Sequence, residues 1–179
     1  YRDFGDPIGV YSRTLMQGLY GIMPDAMNKR LVIRPGFPSD WGKASISMKD
    51  IDFSFNRLGN KDTYQITNKF EKQLSLELLL NARKDAIKGL KVNGKAQKWT
   101  LSEAVSSPQI KIEVPYTSEY TIEIEWGGND LAKIDSENTS VYGQEWNLTT
   151  SANITKVYDS QSVLRNVKRN ANKLDGKTV

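Results

Sequence analysis

The sequence predicts a mainly β protein: an antiparallel β-sandwich of jelly-roll type preceded by one α-helix. Three observations carry that expectation. Most of residues 44 to 126 alternates apolar with polar side chains, the period-two pattern of a sheet with one dry and one wet face. Turn residues divide this stretch into about eight short runs, the spacing of a sandwich or barrel. The 179 residues contain no His and no Cys, so the core must hold together without disulfide or thiolate-metal staples.

The elements follow in order. After Pro7, residues Ile8, Tyr11, Leu15, Leu19 and Ile22 recur at helical spacing and predict an amphipathic helix, weakened by Gly9 and Gly18. Because the chain begins at Tyr1 with no cap ahead of the helix, it reads as the last helix of something larger. Pro24 is expected to end it, with a turn at Asp25 to Asn28 and a short strand at Leu31 to Ile33, closed by Arg34-Pro35-Gly36-Phe37-Pro38. Ala44, Ile46 and Met48 then mark one dry face. Ile51, Phe53 and Phe55 mark the next, followed by Tyr64 and Ile66, then Leu74, Leu76, Leu78 and Leu80. Leu90 to Val92 run into Asn93-Gly94, a dipeptide suited to a type I′ hairpin because both turn residues need positive φ. Trp99 and Leu101 are expected on the returning strand. Ile110, Ile112 and Val114 match Ile122, Ile124 and Trp126 in pattern, which predicts a hairpin with Lys111, Glu113, Glu123 and Glu125 as cross-strand charge pairs.

After Gly127-Gly128 the composition shifts to polar and then basic. The expected organisation is a terminal toroid-type helix at 1–24, a sandwich at 25–128, and a C-terminal extension at 129–179, partly β or disordered, with frayed last residues. The net charge of +4 lies wholly in the tail from Lys156 onward, because residues 1 to 155 hold 19 basic and 19 acidic side chains. A neutral body, with no aromatic in the tail after Tyr158, argues against nucleic-acid binding. No run is long and apolar enough to span a bilayer. If the basic tail recruits a protein partner, truncation after Thr155 is expected to abolish that interaction and leave folding intact.

The chemistry is sparse. A Ser nucleophile would have no His base. No loop is dense enough in acids for calcium, and no cofactor motif is present. Asp50/Asp52 and Glu123/Glu125 are carboxylate pairs, but at i and i+2 on a strand they project from one face roughly 7 Å apart. They cannot straddle a glycosidic bond from two sides, as hydrolysis requires. No catalytic and no metal-binding residue is therefore assigned. Asn138, Asn147 and Asn153 head glycosylation sequons. Trp126 is expected in the core and Trp99 at the hairpin. Trp41 lies in a Pro/Gly-rich loop beside Asp40, and loops carry function disproportionately. Arg34, Asp40, Trp41 and Trp146 are the candidate residues for carbohydrate or interdomain contact.

The segment Gln17-Gly18-Leu19-Tyr20-Gly21-Ile22-Met23-Pro24-Asp25-Ala26, followed by Leu31-Val32-Ile33-Arg34-Pro35-Gly36-Phe37-Pro38-Ser39-Asp40-Trp41, carries a resemblance. It resembles the junction between an (α/α)6 toroid and its C-terminal β-sandwich in large bacterial six-hairpin glycosidases, such as α-L-rhamnosidase-like enzymes and related glycoside hydrolase-like proteins. The likeness extends through Val92-Asn93-Gly94 to Trp126. It implies a noncatalytic accessory sandwich that supports the preceding (α/α)6 domain and its cleft, in a periplasmic, cell-surface or secreted protein, with a glycan as a possible partner. Two other readings stay open: an independent carbohydrate-binding module stacking a sugar on Trp41 or Trp146, and an adhesion-type sandwich with a protein partner.

Overall fold

A computed structural model describes residues 6–102, 108–132, 134–136 and 139–179, with the side chains of residues 6–8, 135 and 136 left out. The chain divides into two compact units, Tyr1–Asn129 and Asp130–Val179.

The first unit is a β-sandwich entered through a short helical segment. Helix α1, Asp6–Arg13, continues as a π-helical turn over Thr14–Leu19. The expected helix therefore stops short of Ile22, which instead begins strand β1, Ile22–Asp25. Gly21, at φ +65°, supplies the turn between helix and strand. Pro24 sits within β1, an edge strand, where its missing N–H leaves no ladder partner unsatisfied. Asp25 accepts from the Asn28 backbone and side chain, making the turn into β2, Arg30–Ile33.

The remaining strands of this unit are β3 (Lys43–Ser47), β4 (Ile51–Leu58), β5 (Lys61–Asn68), β6 (Ser75–Asn81), β7 (Lys84–Val92), β8 (Lys95–Ala96), β9 (Thr100–Ser102), β10 (Gln109–Val114) and β11 (Glu119–Asp130). They form a five-stranded sheet, β1-β2-β6-β10-β9, and a six-stranded sheet, β3-β4-β5-β11-β7-β8. β2 and β6 run parallel, whereas the pairs β1–β2, β3–β4, β4–β5, β5–β11, β6–β10, β7–β8 and β9–β10 are antiparallel. Between the sheets, Ile33, Phe53, Ile66, Leu76, Leu78, Ile112, Ile122 and Trp126 are all almost fully buried. Burying each such side chain is worth about 1.5–3 kcal/mol. The alternation of dry and wet positions in β4, β5, β6 and β11 is the one the sequence predicts. Met48, by contrast, falls beyond β3 and is exposed.

Two predicted pairings are corrected. Ile110 to Val114 and Ile122 to Trp126 do not form a hairpin: β10 pairs with β6 and β9 in one sheet, while β11 pairs with β5 in the other. Both strands point apolar residues inward, so the pattern alone cannot tell facing strands from adjacent ones. Accordingly Lys111 pairs with Glu113 on its own strand at 3.0 Å, and Glu123 pairs with Lys61 at 2.6 Å. The second correction concerns the return from Asn93-Gly94. The hairpin forms, with φ of 50° and 77° at these residues. Its returning strand lasts only Lys95–Ala96, after which the chain crosses to the opposite sheet, placing Leu101 on β9 and leaving Trp99 between the strands, 38% exposed.

The second unit is a four-stranded antiparallel sheet of order β12-β13-β15-β14, where β12 is Ile134–Ser136, β13 Glu145–Thr150, β14 Leu164–Asn170 and β15 Lys173–Thr178. The C-terminal residues are thus not frayed. β15 is an inner strand that pairs with both β13 and β14. Removing everything after Thr155 would take away two of the four strands of this sheet. Backbone ladders need no large side chains, which is why a polar, basic sequence concealed two strands.

Candidate functional site

Most of the candidate residues converge on the loop after β2. The loop Arg34-Pro35-Gly36-Phe37-Pro38-Ser39-Asp40-Trp41 folds back on the sandwich through Phe37, a residue the sequence reading passed over in favour of Trp41. Phe37 stacks on Phe55 at 5.6 Å and meets Tyr20 edge-on at 5.3 Å. Trp41 stacks on the outer side of Phe37, 5.9 Å between centroids and 17° from parallel, and Phe55 stacks in turn on Tyr64 at 5.0 Å. The result is a column of four rings running from the buried Tyr64 to Trp41, which is 38% exposed. Offset ring stacking of this kind adds about 0.5–1.5 kcal/mol per pair beyond area burial.

A buried carboxylate ties the column to the core. Asp62, 1% exposed, accepts from Arg57 Nε at 3.1 Å and Arg83 Nη1 at 2.7 Å through one oxygen, and from Trp126 Nε1 at 3.0 Å through the other. Arg57 also lies over the Phe55 ring, 5.1 Å from its centroid, and donates through Nη1 to the Ser39 carbonyl at 2.7 Å. Two Arg donors and an indole satisfy a charge that would otherwise be costly to bury. Asp62 alternates in register with Tyr64 and Ile66, and that inward register was the one signal of its burial. The same burial, with Asp62 nearby, pushes the Tyr64 hydroxyl well above its ordinary pKa.

Asp40, next to Trp41, is exposed and makes no side-chain hydrogen bond among the described residues. Arg34 has no part in the ring column and lines a recess with Gln17, Asn81 and Gln109. Trp146 lies in the second unit, half-buried on β13 and paired in register with Gly176. Of the sequons, Asn147 and Asn153 are exposed, while Asn138 lies outside the described residues.

One member of each carboxylate pair, Asp52 and Glu123, is held in an ion pair. Asp50 falls in the turn before β4 rather than on a strand, and Asp52 accepts from Lys69 at 2.5 Å and Ser47 at 2.6 Å. The hydrogen bonds from Lys69, then from Ser47, hold the Asp52 carboxyl below the usual range, and Lys61 does the same for Glu123. A glycosidase acid needs the opposite shift, upward, to carry a proton at neutral pH.

No family model matches the chain, and no curated protein matches it.

Proposed function

We propose that this chain is a noncatalytic accessory β-sandwich of a glycoside hydrolase-like protein, exported from the cell and supporting a preceding (α/α)6 domain. One observation carries the reading: the helical segment is covered only toward its C-terminal end. Leu15, Met16 and Leu19 pack against the sandwich core, while Val10 and Tyr11, a turn earlier, are 65% and 71% exposed. An apolar recess bordered by Tyr11, Thr14, Leu15 and Leu19 adjoins them. An apolar stripe that is covered at its C-terminal end and exposed at its N-terminal end is suited to meet a second packed body. Lowered carboxylate pKa values, and a Trp41 already stacked on Phe37, support a role in which chemistry is supplied elsewhere.

The test compares this chain with a longer polypeptide carrying the residues encoded before Tyr1. Tyr11 should be readily iodinated in the present chain and protected in the longer one, and the present chain should hydrolyse no aryl glycoside. Equal labelling of Tyr11 in both, or turnover lost in Asp52→Asn, would sink the proposal.

A second reading is favoured by the free end of the ring column. Trp41 has only Phe37 as a ring neighbour among the described residues, so its outer side could stack a neutral sugar, as in a carbohydrate-binding module. Saturable quenching of tryptophan fluorescence by neutral oligosaccharides, lost in Trp41→Ala, would establish that reading in place of the first.

A further inference from the structure

We infer that the recess around Arg34 is a binding site for the carboxylate of an acidic sugar. The inference goes beyond the accessory reading and does not depend on it.

The recess has a volume of about 400 Å³, within the range of small-molecule sites. Its walls come from segments far apart in sequence: Gln17 from the π-helical turn, Met23 from β1, Arg34 and Gly36 from the loop, Asn81 from the end of β6 and Gln109 from the start of β10. Arg34 is the one charged residue of this lining and forms no salt bridge among the described residues. Gln109 is only 5% exposed, and its carboxamide lies 2.9 Å from that of Asn81. Turned with its oxygen toward Arg34, and with the Asn81 amide turned to donate to it, it accepts from Nε and Nη2 at 3.2 and 3.3 Å. A buried amide thus steadies a guanidinium that has no carboxylate of its own.

The backbone holding Arg34 is fixed by glycines whose side-chain positions are already filled. A Cβ on Gly21 would lie 1.8 Å from the Arg34 carbonyl oxygen, and the Gly21 carbonyl accepts from the Arg34 N–H at 2.9 Å. A Cβ on Gly36 would lie 2.8 Å from the Gly18 carbonyl oxygen, and Gly36 N–H donates to Leu19 at 2.9 Å. The widened π turn brings Gln17 and Gly18 to this same spot, and π turns recur at functional sites. The loop is therefore set before any ligand arrives, which removes an ordering cost from binding.

The chemistry selects the ligand class. A single guanidinium fork matches a carboxylate, whereas a phosphate site ordinarily gathers several cations or a row of backbone N–H groups. Three carboxamides offer donors and acceptors together, which suits ring hydroxyls. A hexuronate supplies both halves.

The test titrates the whole chain with D-galacturonate, D-galactose and acetate, following backbone amide chemical shifts. Galacturonate should saturate and shift the amides of Gly36 and Gln109. Galactose and acetate should each bind at least about tenfold more weakly, as should galacturonate to a folded Arg34→Gln variant. Met27→Ala, at an exposed residue outside the recess, should leave galacturonate binding unchanged. Absence of saturable binding, equal affinity for galactose or for acetate, or indifference to Arg34→Gln would each overturn the inference, and loss in Trp41→Ala alone would move the sugar to the ring column.

Discussion

Residues up to Asn129 and residues from Asp130 onward are both antiparallel β-structure, yet they are held in different ways. In the first unit twenty-one buried apolar side chains among the described residues, from Tyr20 to Trp126, form one continuous core. In the second, Leu174 is the one fully buried apolar side chain among the described residues, while Ile134, Val141, Tyr142, Tyr158, Val163 and Val167 stay exposed. The first unit is a sandwich in which two sheets dry each other. The second is a single sheet whose regularity comes from backbone ladders and from side-chain bonds at its ends, such as Asp159 accepting from the backbone of Val163 and Leu164. Hydrogen bonds exchanged with water contribute modestly, about 0.5–1.5 kcal/mol each, whereas apolar burial accumulates with area. The comparison teaches that strand content is a poor guide to stability.

The largest effects should fall in the first unit. Asp62→Ala leaves Arg57, Arg83 and the Trp126 indole without their shared acceptor, and removing one partner of such a buried set costs about 3–5 kcal/mol. Phe53→Ala should cost a similar amount, about 3–5 kcal/mol, by opening a cavity between the sheets. Both should lower the denaturant midpoint of the main unfolding transition. A Phe53→Ala loss no larger than that of Asp52→Ala, whose side chain is a partly exposed partner of Lys69, would reverse the assignment of the β4 faces.

Leu174→Ala sharpens the contrast. It should release amide protection across β13, β14 and β15 while β4, β5 and β11 stay protected, a loss of about 2–5 kcal/mol confined to the second unit. Uniform loss of protection in hydrogen exchange would show that the two units open as one. Gly21→Ala comes next. It places a side chain at φ +65° against the Arg34 carbonyl, so the melting transition should drop by more than about 1 kcal/mol. It should also displace the Arg34 amide signal, because the new Cβ meets the Arg34 backbone.

The smallest effect is electrostatic. Asp25, Asp52 and Glu123, all in the first unit, are held below the usual carboxylate range, chiefly by side-chain hydrogen bonds from Asn28, Lys69 and Lys61 respectively. A carboxyl whose folded pKa is depressed adds stability that is present above its unfolded pKa and lost as pH falls through the folded value. The first unit should therefore soften slightly below about pH 4, and Asp52→Asn should flatten that dependence in melts taken from pH 5 to pH 2. A steeper acid dependence in the variant would contradict the assignment.

The sequence by itself determined where most strands of the sandwich run, which of their faces is dry, and that Asn93-Gly94 turns the chain. Those are local properties: side-chain alternation and positive φ are written in neighbouring residues. It also exposed Asp40, Trp41 and Arg34 as loop residues, without showing that Phe37 anchors the loop or that Asp62 braces it through Arg57. Only the tertiary structure decided that β10 and β11 face each other from opposite sheets, that β2 runs parallel to β6, and that polar residues 164–178 form two strands. It alone gathered Gln17, Arg34, Asn81 and Gln109 around one recess. Period-two patterning says which way a side chain points and nothing about which strand lies beside it, because partner choice is settled by the packing of the whole core.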